Sequence, residues 1–207
     1  MKTLNKTAIK YFTFALLLIL SISACSEQTK LSQELATFMN QTIAFPKHFL
    51  KVESGKVELS RVDLDKQILV LYSDALSCNL CLINHLHEKI PIYELADSLK
   101  TFTAMTILSP KEEEFEEIIT GLLDRNFNYP VYIDTGDFSY LNTCIPEDHR
   151  FHSFLINQEK KPIFVGDPIS SINLWDLFCK VVDNNDSTTN VIKSISDTPL
   201  LRCKNLH

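Results

Sequence analysis

Two cysteines, Cys78 and Cys81, have the spacing and the setting that thiol chemistry requires. They follow a continuous apolar run, Gln67 to Tyr72, which is typical of a buried central strand, and a helix is predicted to begin at Asn79. The start of a helix offers unpaired N–H groups and a positive partial charge, which lower the pKa of a nearby thiol. Cys81 lies one helical turn further on, within disulfide reach. The pattern predicts Cys78 as a nucleophile and Cys81 as the thiol that resolves it.

Hydrophobic periodicity indicates the elements that must position this pair. The predicted helix runs from Asn79 to Ile90, is interrupted or kinked by Pro91, and continues to Leu99. The other predicted elements are a short helix around Leu35 to Ile43, a strand at Phe102 to Leu108, a helix at Phe115 to Leu123, a strand at Val131 to Asp134, a hairpin of His152 to Ile156 with Pro162 to Val165, and a closing helix at Leu174 to Val181. Alternating strands and helices predict an α/β fold with a central, mostly parallel sheet and an antiparallel edge.

The first 24 residues are predicted to be an export signal. Three lysines precede an uncharged stretch, Tyr11 to Ala24, which is shorter than the ~20 apolar residues that span a bilayer. The stretch ends in Ile22-Ser23-Ala24-Cys25, which resembles the lipobox of bacterial lipoproteins. This resemblance implies cleavage before Cys25, its acylation, and a protein held by lipid to a membrane of the cell envelope, on the periplasmic or outer-membrane face. The alternative is ordinary cleavage after Ala24.

Composition excludes several classes of protein. The formal net charge is −6, and the leader carries three lysines and no acid, so the exported part is more acidic still. Such a surface does not attract phosphate backbones, which excludes nucleic acid as an expected partner. With 45% apolar and 22% charged residues, four Gly and eight Pro, the chain is neither collagen-like nor disordered throughout. We expect one globular domain at 43–182, a tether from residue 26 to about Gln33 and a short helix within 25–42, and a polar tail at 183–207.

The unit of strand, CxxC and helix from Lys66 to Leu86, followed by a strand, a helix and a hairpin that leads to the helix at Trp175, resembles the thioredoxin-like fold. More closely, it is similar to the redoxin-type lipoproteins anchored to bacterial membranes. The resemblance covers roughly Ile43 to Val182 and implies a three-layer α/β/α sandwich with a central mixed sheet. It also implies a thiol–disulfide oxidoreductase that acts on exported protein thiols, receives electrons from an unidentified donor, and needs no cofactor beyond a Cys78–Cys81 disulfide.

The resemblance places Ser77, Asn79, Leu80, His149 and His152 near the active site. Three positions there depart from thioredoxins. Ser77 stands in place of a tryptophan, His152 in place of a cis-proline, and Tyr72 in place of a buried acid. Peroxiredoxins would also require a proline leading into the reactive cysteine, and none precedes Ser77, which disfavours peroxidase chemistry.

Two further functions remain open from the sequence. Copper chaperones of the Sco type are similar in having a cysteine pair and a histidine before the hairpin strand, so Cys78, Cys81 and His149 could bind copper or zinc. His85, four residues after Cys81, is a weaker candidate ligand. The alternative to a metal site is that His149 caps a turn and His152 packs beside the active site. A separate alternative function is a thioredoxin-like scaffold that works by contact and whose CxxC is vestigial.

Three other cysteines have no clear role in this chemistry. Cys179 lies among apolar residues of the closing helix and is predicted to be buried. Cys144 is either a third redox thiol or the partner of Cys203 in a structural disulfide, which an exported compartment permits.

Overall fold

The computed structural model describes residues 29–62 and 64–182. The predicted signal peptide, Cys25, Cys203 and the polar tail therefore lie outside the described residues. The boundary between two compact units of the chain falls between Thr37 and Phe38. Within the described ranges, every helix is too short or too polar to cross a bilayer.

The described chain alternates strands with helices, as the periodicity predicts. In chain order the elements are α1 (29–39), β1 (Phe49–Glu53), β2 (Lys56–Ser60), β3 (Gln67–Ser73), α2 (Asn79–Asn84), α3 (Ile90–Leu99), β4 (Phe102–Leu108), α4 (Phe115–Arg125), β5 (Val131–Ile133), α5 (Asp137–Leu141), β6 (Ser153–Ile156), β7 (Pro162–Val165) and α6 (Ile172–Val182), with short 3-10 turns between some of them.

All seven of these strands form one mixed sheet in the order β2-β1-β5-β4-β3-β6-β7. Strands β3, β4 and β5 run parallel, and β6 pairs antiparallel with both β3 and β7. Strand β3 reads as a continuous apolar run because both of its faces are covered, and Ile68 to Val70 are at most 1% exposed. The strand order and connections confirm the expected α/β, thioredoxin-like architecture with a mixed sheet. The expectation of a mostly parallel sheet was wrong, because only the pairs β3–β4 and β4–β5 are parallel and the other four pairs are antiparallel.

Helical segments cover both faces of the sheet. On one face, Leu69 and Leu71 pack in a core with residues of α3 and α6, and a neighbouring core joins β5 to α2 and α4. On the other face, Phe38 contacts Phe154 at 5.2 Å between ring centroids, and Phe138 of α5 contacts Tyr72 at 5.4 Å. The prediction of three layers is confirmed.

The predicted helix after the cysteines is not continuous. Helix α2 ends at Asn84, a 3-10 turn occupies Leu86–Lys89, and α3 begins at Ile90. Pro91 therefore lies in the first turn of α3, where a missing N–H leaves no hydrogen bond unmade. The prediction that the helix is interrupted is confirmed, but its position at Pro91 was wrong, because the break lies between Asn84 and Ile90 and Pro91 belongs to α3.

Three elements were not predicted, and one helix begins early. The β1–β2 hairpin has an exposed β2, so its sequence lacks a buried face, although the turn at Ser54 and Gly55 has the positive φ angles typical of tight hairpins. Helix α5 is only five residues long. Helix α1 begins at residue 29, within the stretch predicted as a tether, and ends before Ile43.

Candidate active site

Cys78 and Cys81 form a disulfide where β3 leads into α2, with their Cα atoms 5.2 Å apart. Both side chains are exposed. Cys78 caps α2, because its Sγ accepts a hydrogen bond from the Cys81 N–H at 3.2 Å and its carbonyl accepts one from Leu82 N–H at 3.1 Å. The structure therefore joins the two cysteines that the sequence singled out, at the predicted strand-to-helix junction.

The turn that leads into Cys78 is organised by Asp74. Its Oδ1 accepts hydrogen bonds from the Ser77 hydroxyl at 2.6 Å, from Ser77 N–H at 2.8 Å and from Leu76 N–H at 3.1 Å. Asn79 is 1% exposed and donates from Nδ2 to the carbonyls of Asp74 at 3.2 Å and of Ser77 at 3.4 Å. Leu80 is half-buried and packs against the core that contains α4. Each of these contacts fixes the path of the chain into the disulfide.

His149 and His152 lie against this turn. The Nδ1 of His149 is 3.5 Å from the Ser77 hydroxyl and 3.4 Å from the Nδ1 of His152. His152 is 5% exposed, its ring packs on Tyr72 at 5.2 Å, and its Nε2 donates to the Pro146 carbonyl at 3.0 Å. His149 is exposed. Both histidines therefore lie near the turn that leads into Cys78.

Burial and charge act on the ionisable groups here in opposite directions. Burial alone would raise the pKa of Asp74, but the Ser77 hydroxyl, the Ser77 N–H and the charge that His152 and His149 carry when protonated together hold that pKa below its ordinary value. Burial lowers the pKa of His152, although its bond to Pro146 and the charge of Asp74 oppose the change. Burial also raises the pKa of Tyr72. At neutral pH the site holds a carboxylate beside a neutral buried imidazole.

An open hollow connects the disulfide with the histidines. Its lining includes Cys78, Cys81, His85, Lys89, His149, His152 and Asp167. Lys89 Nζ and Asp167 Oδ2 form an ion pair at 2.6 Å. His85, the weaker candidate ligand, has its Nδ1 3.0 Å from Glu88 Oε1. A thiol or a disulfide of another molecule can approach Cys78 and Cys81 through this hollow.

The ligand atoms of Asp74, His149 and His152 lie within 4.8 Å of one another. The predicted set of Cys78, Cys81 and His149 shares only His149 with this group. Its two thiols are joined as a disulfide in this structure, so that set stays a prediction about the reduced protein.

Asp74 is the residue that the sequence prediction missed. The acid expected by resemblance falls at Tyr72, and the structure places a carboxylate two residues later instead, at the start of the turn. The available signal was an aspartate three residues before a serine, a pattern typical of side chains that bond to the backbone just ahead of them. Pro146, whose carbonyl fixes His152, has no comparable signal in the sequence.

The remaining cysteines divide by burial. Cys179 is 6% exposed in the core formed by α3 and α6, which confirms the prediction that it is buried. Cys144 is half-buried, and burial raises the pKa of its thiol. Its predicted alternatives stay predictions, since Cys203 lies outside the described residues.

Comparison with known proteins adds only distant similarities. No protein-family profile matches the chain, and no curated protein matches it significantly. Among solved structures, the chain is similar to AhpC of Enterococcus faecalis (14% identity, 78% of this chain and 98% of that one, TM-score 0.44). It is also similar to an uncharacterised thioredoxin-like protein of Porphyromonas gingivalis (15% identity, 74% of this chain and 95% of that one, TM-score 0.41). A third similar structure is the exposed lipoprotein thioredoxin Etrx1 of Streptococcus pneumoniae (16% identity, 73% of this chain and 99% of that one, TM-score 0.37). At these values the similarities establish neither family nor activity, and the fold rests on the strand order described above.

Proposed function

We propose that this protein is a thiol–disulfide oxidoreductase that acts on protein thiols through Cys78 and Cys81. The observation that carries the proposal is the exposed disulfide at the junction of β3 and α2, open to the solvent through a hollow. A disulfide buried in a core would serve stability alone, whereas an accessible pair at the start of a helix can exchange.

The exchange proceeds through a mixed disulfide in two steps. When the pair is reduced, the Cys78 thiolate attacks a disulfide of the client protein, forms a bond to one client sulfur and releases the other as a thiolate. Cys81 then attacks Cys78 Sγ, which reforms the Cys78–Cys81 disulfide and releases the second client thiol. Two electrons pass to the client, and an electron donor must reduce the pair again. The reverse sequence oxidises a client, and no cofactor other than the disulfide takes part.

The Cys81 N–H supports Cys78 as the attacking thiol. It donates to Cys78 Sγ at 3.2 Å in the disulfide form. A hydrogen bond to a thiolate favours the charged form and so lowers the pKa of the thiol. Cys81 receives no equivalent bond among the described residues, which supports its assignment as the resolving thiol.

The first test is a redox titration of the protein in glutathione buffers, with alkylation and mass spectrometry to locate the disulfide. We expect a reversible Cys78–Cys81 couple between roughly −270 and −120 mV, the range of known exchange proteins. Cys78→Ser should abolish exchange with a disulfide substrate, and Cys81→Ser should accumulate the mixed disulfide. Cys144→Ser is the matched control and should leave the couple unchanged. A Cys78→Ser protein that still exchanges disulfides would contradict the proposal and favour a scaffold.

We further propose that the protein is held to a membrane of the cell envelope by lipid on Cys25 and that its clients are exported proteins. The support is the basic and apolar leader and its similarity to a lipobox at Ile22 to Cys25. Cys25→Ser should move the protein from the membrane fraction to the soluble fraction, and an intact N-terminal peptide without acyl mass would contradict the proposal. Stable attachment requires more than one acyl chain, since each buried CH₂ contributes only about 0.8 kcal/mol.

A further inference from the structure

We propose that Asp74, His149 and His152 form a binding site for Zn²⁺ beside the disulfide. The site uses two imidazole nitrogens and one carboxylate oxygen, and it contains no thiol. It therefore differs from the set of Cys78, Cys81 and His149 considered above and is available while the disulfide is intact.

The spacing of the donor atoms suits a small metal ion. Zinc bonds to nitrogen and oxygen of ~2.0–2.1 Å place tetrahedral ligands about 3.4 Å apart. The Nδ1 atoms of His149 and His152 are separated by 3.4 Å, so this edge of the tetrahedron is already formed. A carboxylate oxygen of Asp74 lies within 4.8 Å of a ring nitrogen of each histidine, a gap that a small rotation of side chains would close.

His152 is prepared as a ligand by its environment. Its Nε2 donates to the Pro146 carbonyl at 3.0 Å, and a carbonyl can only accept, so Nε2 carries the proton. The lone pair of the neutral ring is therefore on Nδ1, which faces His149. A metal-binding histidine commonly coordinates the ion with one ring nitrogen and donates the N–H of the other to a group such as a backbone carbonyl. The ring is 5% exposed and packs on Tyr72, so little conformational freedom remains to be lost on binding.

Asp74 also keeps a donor atom available. Its Oδ1 accepts the three hydrogen bonds from Leu76 and Ser77 that orient the carboxylate. Its Oδ2 accepts none from the described part of the chain, so this oxygen retains its lone pairs for a metal. The third ligand, His149, is exposed and can turn toward the ion without disturbing the core.

Three protein ligands leave one coordination position open, as in zinc sites that bind water or substrate. His149 and His152 line the same hollow as Cys78 and Cys81. An ion at this position would therefore lie within the surface through which a client thiol approaches. The inference does not depend on the exchange reaction, because it requires only Asp74, His149 and His152.

The test is titration of the full chain with Zn²⁺, with the Cys78–Cys81 disulfide intact and the accessible thiols alkylated beforehand. Calorimetry and elemental analysis after dialysis should show one Zn²⁺ per chain. His149→Ala and Asp74→Asn should each weaken binding at least ~10–100-fold, the loss seen even for residues that only orient ligands. His87→Ala changes an exposed histidine outside the set and is the matched control.

A second variant separates this site from the thiols. Cys78→Ser combined with Cys81→Ser should retain the same Zn²⁺ affinity and stoichiometry, although it lacks all exchange activity. Co²⁺ in place of Zn²⁺ should give a visible spectrum without the charge-transfer bands of cobalt–thiolate bonds. Loss of binding in the double cysteine variant, or wild-type affinity in both His149→Ala and Asp74→Asn, would overturn the proposal. Because His149 is exposed and Asn has the shape of Asp, neither variant should fail to fold, which circular dichroism would verify.

Discussion

The Ser77 hydroxyl shows how one hydrogen bond limits what a residue can do at this site. A hydroxyl has a single proton, and here it is donated to Asp74 at 2.6 Å. Ser77 therefore cannot also donate to a thiolate at Cys78, although it is the neighbouring residue. The backbone N–H of Cys81 remains as the donor to that sulfur. The reactivity of Cys78 thus depends on the start of α2 more than on the side chain beside it.

His152 makes the stability of the protein depend on pH. Burial lowers the pKa of this histidine in the folded chain, so below about pH 6.5, the ordinary value, the unfolded chain binds a proton that the folded chain does not. We expect the free energy of unfolding to fall as the pH falls from 7 to the folded-state pKa. Each such proton contributes a slope of at most about 1.4 kcal/mol per pH unit. Urea unfolding between pH 5 and 8, with a chelator present, measures it.

The matched variant is His152→Gln, whose amide can still donate to the Pro146 carbonyl. It should be less stable than the wild type at pH 7.5 and should lose less stability on acidification. His87→Ala, which removes an exposed histidine, should keep the wild-type slope. Equal slopes in the wild type and in His152→Gln would show that His152 does not carry the pH dependence.

At the scale of elements, Asn142 ties a loop to the short helix α5. Its Oδ1 accepts from Ala44 N–H, and its Nδ2 donates to the carbonyls of Ala44 and Phe138, each at 2.8 Å. The residue is 3% exposed. A helix of five residues has no stability of its own, so these bonds and the packing of Phe138 hold it.

Asn142→Ala should therefore lower the free energy of unfolding by about 1–3 kcal/mol, the cost of leaving buried polar groups without partners. Asn142→Asp keeps an acceptor for Ala44 N–H, loses both donated bonds, and should remain destabilised. Thr143→Ala changes the exposed neighbour and should have an effect within about 0.5 kcal/mol. Urea unfolding at neutral pH gives all three values. If Asn142→Ala matched Thr143→Ala, the bonds to Ala44 would contribute nothing to stability.

Elements with a continuous buried face were predictable, and those held by single polar contacts were not. Strands β3 and β4 and helices α4 and α6 each present an apolar run or stripe that sequence periodicity detects. Helix α5 depends on Asn142 and on Asp134, whose carboxylate accepts from Phe138 N–H at 2.8 Å. The same holds at the site. The cysteine pair was visible from its spacing, whereas the group of Asp74, His149 and His152 joins residues that are 75 and 78 positions apart in the numbering.

At the scale of the whole molecule, we expect that the fold does not depend on the disulfide. Residues 67–73 of β3 pair with β4 on one side and residues 68–71 pair with β6 on the other, so the strand that leads to Cys78 is fixed within the sheet. The disulfide itself links residues only three positions apart. It closes a very small loop and constrains little of the unfolded chain.

We therefore expect the reduced protein to remain folded. The chain-entropy model assigns a loop of this size about 2 kcal/mol, which for a domain of this length corresponds to a melting temperature lowered by about 4–8 °C. Thermal unfolding by circular dichroism, with and without a phosphine reductant, measures the difference. The double variant Cys78→Ser with Cys81→Ser should have the melting temperature of the reduced protein, and the reductant should not change it.

The same measurement bears on the direction of exchange, because the stability difference between the two forms equals a difference in reduction potential. A disulfide that stabilises the fold by about 2 kcal/mol is more reducing than the same disulfide in the unfolded chain by about 40 mV. A reduced form that melts higher than the oxidised form would instead identify the protein as an oxidant of its clients. Loss of cooperative unfolding on reduction would show that the disulfide holds the fold together, which a pair that opens in every cycle cannot do.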